Sequence, residues 1–287
     1  GASVKGQPKD RLSRGEFLEW LVRTAIDEQP LEECAANVQL LCEDLLEFLT
    51  ISENGRTVFS NSNWFRMDTC YTHEVSAALD EHKASLHSLF SVYAASTGVG
   101  TSAQEPDSLM NYTEFSLLWE DLGFTKELSE RRIALAFALS SMLVIDESAK
   151  KSLQLERLSF EGFLEAFVRI ADIKLLPTEV EISDAGHRYP GEFLVSILDS
   201  GVERYRSWGV RARSMHKTGA SDPICRRIRH LILLIAYTMQ AGVESSAGGK
   251  TSASRRSPDE TLSIREVDLF RSKPSPGPLG DIDLPFD

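Results

Sequence analysis

Apolar positions along the chain recur at steps of three and four residues, a spacing typical of amphipathic helices. This pattern predicts helices over residues 30–51, 73–94, 110–122, 127–144, 160–173, 190–206 and 224–240. Polar connections are expected at Asn54–Thr72 and Pro177–Pro190. From Glu244 onward Ser, Gly, Pro and charged residues dominate, which predicts a largely disordered tail over 244–287. We therefore expect an all-α fold.

One helix signature is written twice, at Leu12–Ala25 and at Leu158–Ala171, with identical residues at eight aligned positions. A looser copy runs from Met110 to Gly123, and Gly191–Leu194 repeats a fragment of the first copy. Self-similarity of this kind indicates a repeated supersecondary unit.

Each copy has an apolar residue, a small polar residue, and Glu or Gly immediately before Phe, followed by an apolar helical stripe. This resembles the second half of an EF-hand, in which loop position 8 is apolar and position 12 is a bidentate Glu. Position 8 would be Leu12, Met110 and Leu158, and position 12 would be Glu16, Glu114 and Gly162. The resemblance, to degenerate EF-hands of cytoskeletal and ciliary or flagellar proteins in the calmodulin superfamily, implies paired helix-loop-helix units over residues 10–175.

Calcium ligation is mostly lost from these loops. Calcium needs oxygen ligands at loop positions 1, 3, 5 and 12, but position 1 is Lys5 in one copy and Lys151 in another. The middle copy has Ala103 there, although it keeps Glu105, Asp107, Asn111 and Glu114. We expect no metal site and no cofactor. The alternative is a calcium-binding regulatory protein that uses the loop 103–114.

The repeat also predicts which side chains face inward. Phe17 and Phe163 each begin a helix and precede apolar residues at helical spacing, so both rings should pack against a partner helix. Glu19 and Glu165, two positions later, should point outward and tolerate replacement by Ala.

Charge is distributed unevenly along the sequence. The chain carries a net charge of -12, yet residues 203–229 contain eight Lys or Arg and two Asp or Glu, which gives +6 there and -18 elsewhere. The predicted partner-binding residues are Arg204, Arg206, Arg211, Arg213, Arg226, Arg227 and Arg229. A basic stripe on an acidic protein favours one acidic protein partner, such as tubulin with its acidic tails, over nucleic acid. The alternative is that these arginines pair with acidic groups of the same domain.

The remaining features favour a non-catalytic interaction module or scaffold. Residues 176–243 should form further helices on the first domain, and the sequence has no glycine-rich phosphate loop, nucleophile elbow or zinc-binding helix motif. A helical enzyme is the remaining alternative. The longest apolar run, Leu231–Tyr237, is too short for a membrane span, and four scattered cysteines favour reduced thiols. We expect a fragment of a longer cytoplasmic protein, associated with the cytoskeleton or a cilium or flagellum.

Overall fold

The computed structural model describes residues 19, 20, 23, 64–94, 109–141, 156–246 and 261–274. The chain divides into two compact units, residues 1–62 and 63–287. In the first unit the three described residues are helical, and Arg23 forms an exposed ion pair with Glu19. The predicted helix 30–51 and Phe17 lie outside the described residues.

The described part of the second unit is almost entirely helical, which confirms the all-α class. A π-helix spans Phe65–Cys70, and a short 3-10 helix spans Phe124–Lys126. The α-helices are α1 (His73–Glu81), α2 (Lys83–Ala94), α3 (Tyr112–Asp121), α4 (Glu130–Ser140), α5 (Phe160–Ile173), α6 (Glu179–Asp184), α7 (Pro190–Asp199), α8 (Val202–Lys217), α9 (Ile224–Ser246) and α10 (Ile264–Ser272). Two short strands, β1 (Met110–Asn111) and β2 (Arg157–Leu158), precede α3 and α5.

Helix boundaries differ from the predicted ones where local chemistry interrupts the apolar pattern. The helix predicted over 73–94 breaks at His82, and the one over 190–206 breaks at Gly201, whose φ of 117° favours glycine. The connection 177–190 contains α6, which begins with a capping box between Thr178 and Glu181. The prediction for 160–173 is confirmed.

The two strands pair in antiparallel fashion and join equivalent positions of two sequence copies. Met110 lies opposite Leu158, and Asn111 lies opposite Arg157. Asn111 and Ser159 then cap α3 and α5 by accepting hydrogen bonds from the third residue of each helix. The matching local sequences therefore form matching strand-to-helix junctions.

An aromatic cluster lies behind this strand pair. The Phe115 and Phe163 rings, at equivalent positions of the two copies, are fully buried and lie 6.4 Å apart at nearly right angles. Phe90 of α2 and Phe167 of α5 extend the cluster. The inward direction predicted for Phe163 is confirmed. Helix α9 packs against α1, α5 and α7, so one hydrophobic core includes helices from the beginning, middle and end of this unit.

The prediction for Glu165 was wrong. Its side chain is only 4% exposed and forms ion pairs with Arg66 at 2.9 Å and with Arg169 at 2.8 Å. The Tyr71 hydroxyl donates a further hydrogen bond to the same carboxylate at 2.9 Å. Residues 64–71 cover the polar side of α5. An isolated helix would expose that side to water, but here it is buried.

The predicted disorder does not hold for residues 261–274. There, α10 packs against α2 and α9, with Leu262, Val267 and Phe270 buried. The Leu262 amide donates to Ser85 Oγ at 3.0 Å, and Arg271 donates to the Val92 carbonyl at 2.8 Å. Helix α9 also continues into the predicted tail as far as Ser246.

Candidate functional site: the cationic helix α8 and its cleft

Helix α8 separates an apolar side from a cationic side. Tyr205, Trp208 and Ala212 recur at helical spacing and are buried. The positions next to these residues include Arg204, Arg206, Arg211 and Arg213. Burial of the apolar side therefore directs several guanidinium groups toward solvent.

The four arginines of α8 have different surroundings. Arg204 is exposed and has no ion-pair partner among the residues that the structure describes. Arg211 is 59% exposed and donates to Glu181 Oε1 at 2.8 Å, whereas Arg206 pairs with Glu203 at 2.6 Å. Arg213 is half-buried, and burial together with the nearby Arg132 lowers the pKa of its guanidinium. Arg204 and Arg211 are therefore the accessible cations of this helix.

The three predicted arginines of α9 make intramolecular contacts. Arg227 is buried and donates to Asp172 Oδ1 at 3.0 Å and to the Asp172 carbonyl at 2.5 Å. Arg226 lies 3.5 Å from Asp222, and Arg229 lies 2.9 Å from Glu81, with both arginines about half exposed. Arg227 therefore has a structural role. All three arginines pair with acidic groups of the same domain, which is the alternative to partner binding.

A cleft of about 300 Å³ lies between α7 and α8. Each helix contributes residues spaced by three, four and seven positions, which places them on one side of that helix. The lining residues are Phe193, Ser196, Ile197 and Ser200 from α7 and its C-cap, Arg204, Ser207, Trp208 and Arg211 from α8, and Ala185. Aromatic and aliphatic carbons thus meet two guanidinium groups in one concave surface.

The serine hydroxyls of the cleft already have acceptors. Ser196 donates to the Phe193 carbonyl, Ser200 to the Ser196 carbonyl, and Ser207 to the Glu203 carbonyl, at 2.8–2.9 Å. Trp208 is only 2% exposed, and its buried Nε1–H has no acceptor within the described ranges. The donors that a ligand in the cleft can reach therefore belong to the arginines, so the cleft suits a ligand rich in acceptors.

The carboxylate of Glu181 pairs with Arg211, which lines the cleft. Burial alone would raise its pKa, but hydrogen bonds from Thr178 and Arg211 outweigh burial and hold the pKa below its ordinary value. Glu181 is therefore ionised at neutral pH and orients Arg211. This leaves Arg204 as the less neutralised of the two cations.

The sequence predicted the arginines but not the wall that faces them. Phe193 belongs to the Gly191–Leu194 fragment that repeats the first copy, which indicated a helix but no ligand site. Ser196 and Ser200 carry no motif. The only sequence signal for the cleft was the three- and four-residue spacing of its lining residues on α7 and α8. That spacing indicates a shared site only once the turn at Gly201 brings the two helices together.

The alternative of a calcium site uses the loop 103–114, and residues 103–108 of that loop lie outside the described ranges. Glu114, its position 12 residue, is 2% exposed, and its carboxylate accepts a hydrogen bond from the Asn111 amide at 2.8 Å. Within the part of the chain that can be described, no three His, Cys, Asp or Glu side chains cluster as metal ligands would. The observed role of Glu114 is to cap α3.

Two further findings concern membrane spans and similarity to known proteins. No helix in the described ranges has both the length and the apolar character needed to cross a membrane. None of the family models, curated proteins or solved structures compared with the chain matches it.

Proposed function

We propose that this chain is a non-catalytic, all-α interaction module that binds an acidic protein partner through α8. The observation that carries this proposal is the pair of exposed cations, Arg204 and Arg211, beside an apolar cleft on an otherwise acidic chain. A cationic surface attracts an acidic partner, and the acidic remainder of the protein repels that partner from other places. The proposed binding residues are Arg204, Arg211, Arg206 and the half-exposed Arg226 and Arg229.

The proposal includes a paired EF-hand-like scaffold that holds α8. It is supported by the β1–β2 pairing, because Met110 and Leu158 occupy the same position of their copies and lie opposite each other. The equivalent Phe115 and Phe163 rings support it further. By the same resemblance, we propose a cytoplasmic role at the cytoskeleton or in a cilium or flagellum, with a tubulin-like acidic tail as the partner.

The cleft geometry favours binding over catalysis. His187 Nε2 lies 3.0 Å from Ser196 Oγ, the arrangement expected for an activated hydroxyl. However, that hydroxyl donates to the Phe193 carbonyl at 2.8 Å, and no carboxylate orients the imidazole among the contacts of the described residues. A serine held in this way is a structural contact of α7.

A fluorescein-labelled glutamate 15-mer tests the proposal by fluorescence anisotropy. We expect salt-dependent binding that weakens about tenfold when Arg204 and Arg211 are both changed to Glu, since two charge contacts are reversed. The control exchanges Lys83 and Lys126, two exposed lysines elsewhere, for Glu and changes the net charge equally. Equal loss in both variants, or no binding by the unaltered protein, would contradict the proposal.

A further inference from the structure

We infer that the α7–α8 cleft binds a short acidic segment that inserts one apolar side chain between two carboxylates. This inference rests on the proposed acidic partner and adds where it binds and what it must contain. The cleft supplies an apolar surface from Phe193, Ile197 and Trp208, with Arg204 and Arg211 at positions seven apart on α8. Phe193 and Trp208 are almost fully buried, so one apolar side chain is enough to cover the carbons that they expose to the cleft. A purely acidic ligand would place a charged group against those carbons.

The spacing of the two cations sets the spacing of the ligand. Seven positions on an α-helix correspond to about 10.5 Å along its axis. An extended segment rises about 3.3 Å per residue and directs alternate side chains to the same side. Carboxylates four positions apart span about 13 Å, which differs from the arginine spacing by about 3 Å, a difference that flexible arginine and glutamate side chains can cover. With the apolar residue midway, all three side chains lie on the side of the segment that faces the cleft.

The hydrogen-bonding groups of the cleft also select carboxylates. The hydroxyl groups of Ser196, Ser200 and Ser207 are committed to backbone carbonyls, so they offer oxygen atoms but no free donor. The exposed guanidinium of Arg204 remains as a donor that a ligand can reach. A guanidinium forms charge-assisted hydrogen bonds with a carboxylate, and these are stronger than hydrogen bonds to a neutral oxygen.

The volume of the cleft is consistent with one such side chain. Its approximately 300 Å³ lies at the lower end of the range for small-ligand sites, about 300–1,000 Å³. A leucine side chain fits within it together with part of the flanking backbone. The occupant is therefore a short linear segment of a partner, and the rest of that partner contacts the exposed arginines.

Two fluorescein-labelled peptides, Glu-Ser-Leu-Ser-Glu and Glu-Ser-Ser-Ser-Glu with blocked termini, test this inference by anisotropy. The leucine peptide should bind about tenfold more tightly, because burial of its side chain adds to the same charge contacts. Ser207→Trp, which fills the cleft without changing charge, should abolish that preference. Ser214→Trp is the matched control, because Ser214 is exposed one heptad later on α8 and does not line the cleft.

The outcomes separate this inference from the proposed function. If the two peptides bind equally to the unaltered protein, or if Ser207→Trp retains the leucine preference, the cleft is not the site. Binding of the glutamate 15-mer through Arg204 and Arg211 would then still support the proposed function. If neither peptide nor the 15-mer binds, both proposals fall.

Discussion

At the residue scale, the buried carboxylate of Glu165 connects two distant parts of the chain. Arg66 and Tyr71 come from the segment before α1, and Arg169 comes from the next turn of α5. The Phe65 ring lies 4.2 Å from the Arg169 guanidinium and completes the contact. Burial, reinforced by the nearby Glu165 carboxylate, raises the pKa of the Cys70 thiol to about 12. This thiol is therefore protonated and unreactive at neutral pH.

Replacing Glu165 by Ala should destabilise the protein by about 3–5 kcal/mol. Removing one partner of a buried ion pair leaves uncompensated charge, here the guanidinium groups of Arg66 and Arg169. The control is Glu19→Ala, because Glu19 occupies the equivalent position of the first copy and its pair with Arg23 is exposed. An exposed pair of this kind contributes about 0.3–0.5 kcal/mol. Urea unfolding measures both, and equal effects would contradict the structural role of Glu165.

At the element scale, Gly191 allows α7 to cross α9 closely. A Cβ atom at this position would lie 2.3 Å from Cδ1 and 2.9 Å from Cβ of Tyr237. The second distance matters more, because the Tyr237 Cβ cannot swing away by a change of rotamer. The close crossing positions α7, and with it one wall of the cleft.

We expect Gly191→Ala to destabilise the protein despite the better helix propensity of alanine. Overpacking costs about 1–3 kcal/mol, which exceeds the gain of about 1 kcal/mol from propensity. In a Tyr237→Ala background the same change should cost less, because the two ring contacts at 2.3 and 2.4 Å are gone and only the Cβ contact at 2.9 Å remains. Thermal unfolding of the four proteins gives the coupling energy, and additive effects would argue against the clash.

Helix α10 provides a second comparison between neighbouring residues. Phe270 is 1% exposed and Leu269 is 55% exposed. Phe270→Ala should cost about 3–5 kcal/mol of packing free energy, enough to release α10 from α2 and α9. Leu269→Ala should change stability by less than about 0.5 kcal/mol. Hydrogen exchange of the α10 amides reports release directly, and equal protection in the two variants would refute the docking of this helix.

These elements indicate what the sequence could and could not predict. Phe163 was predictable because its inward direction follows from the period of its own helix. Glu165 was not, because the segment that covers it comes from about a hundred residues earlier in the chain. Phe270 belongs to an apolar pair inside a polar, Ser-rich tail. The composition of the whole tail predicted disorder, and the apolar pair was too short to predict a helix. The arginines of α8 were visible in the sequence, whereas the wall of the cleft from α7 depends on tertiary packing.

At the scale of the whole molecule, the charge asymmetry determines how an acidic partner would approach. The net +6 of residues 203–229 lies on a chain whose remainder carries -18. An acidic ligand is therefore repelled by most of the chain and attracted to the segment that contains α8. Such steering acts over a Debye length of about 8 Å at physiological ionic strength, so binding should weaken as salt rises.

The most direct test of the central claim uses the indole N–H signals of the tryptophans in the ¹⁵N-labelled protein. Trp208 lines the cleft, whereas Trp119 lies in the core, and each has a buried Nε1–H without an acceptor among the described residues. On titration with the Glu-Ser-Leu-Ser-Glu peptide, the Trp208 indole signal should shift in a saturable, salt-dependent way while the Trp119 signal stays unchanged. Saturable binding that leaves the Trp208 signal in place, or no binding of this peptide at all, would contradict the cleft beside α8 as the site of an acidic segment.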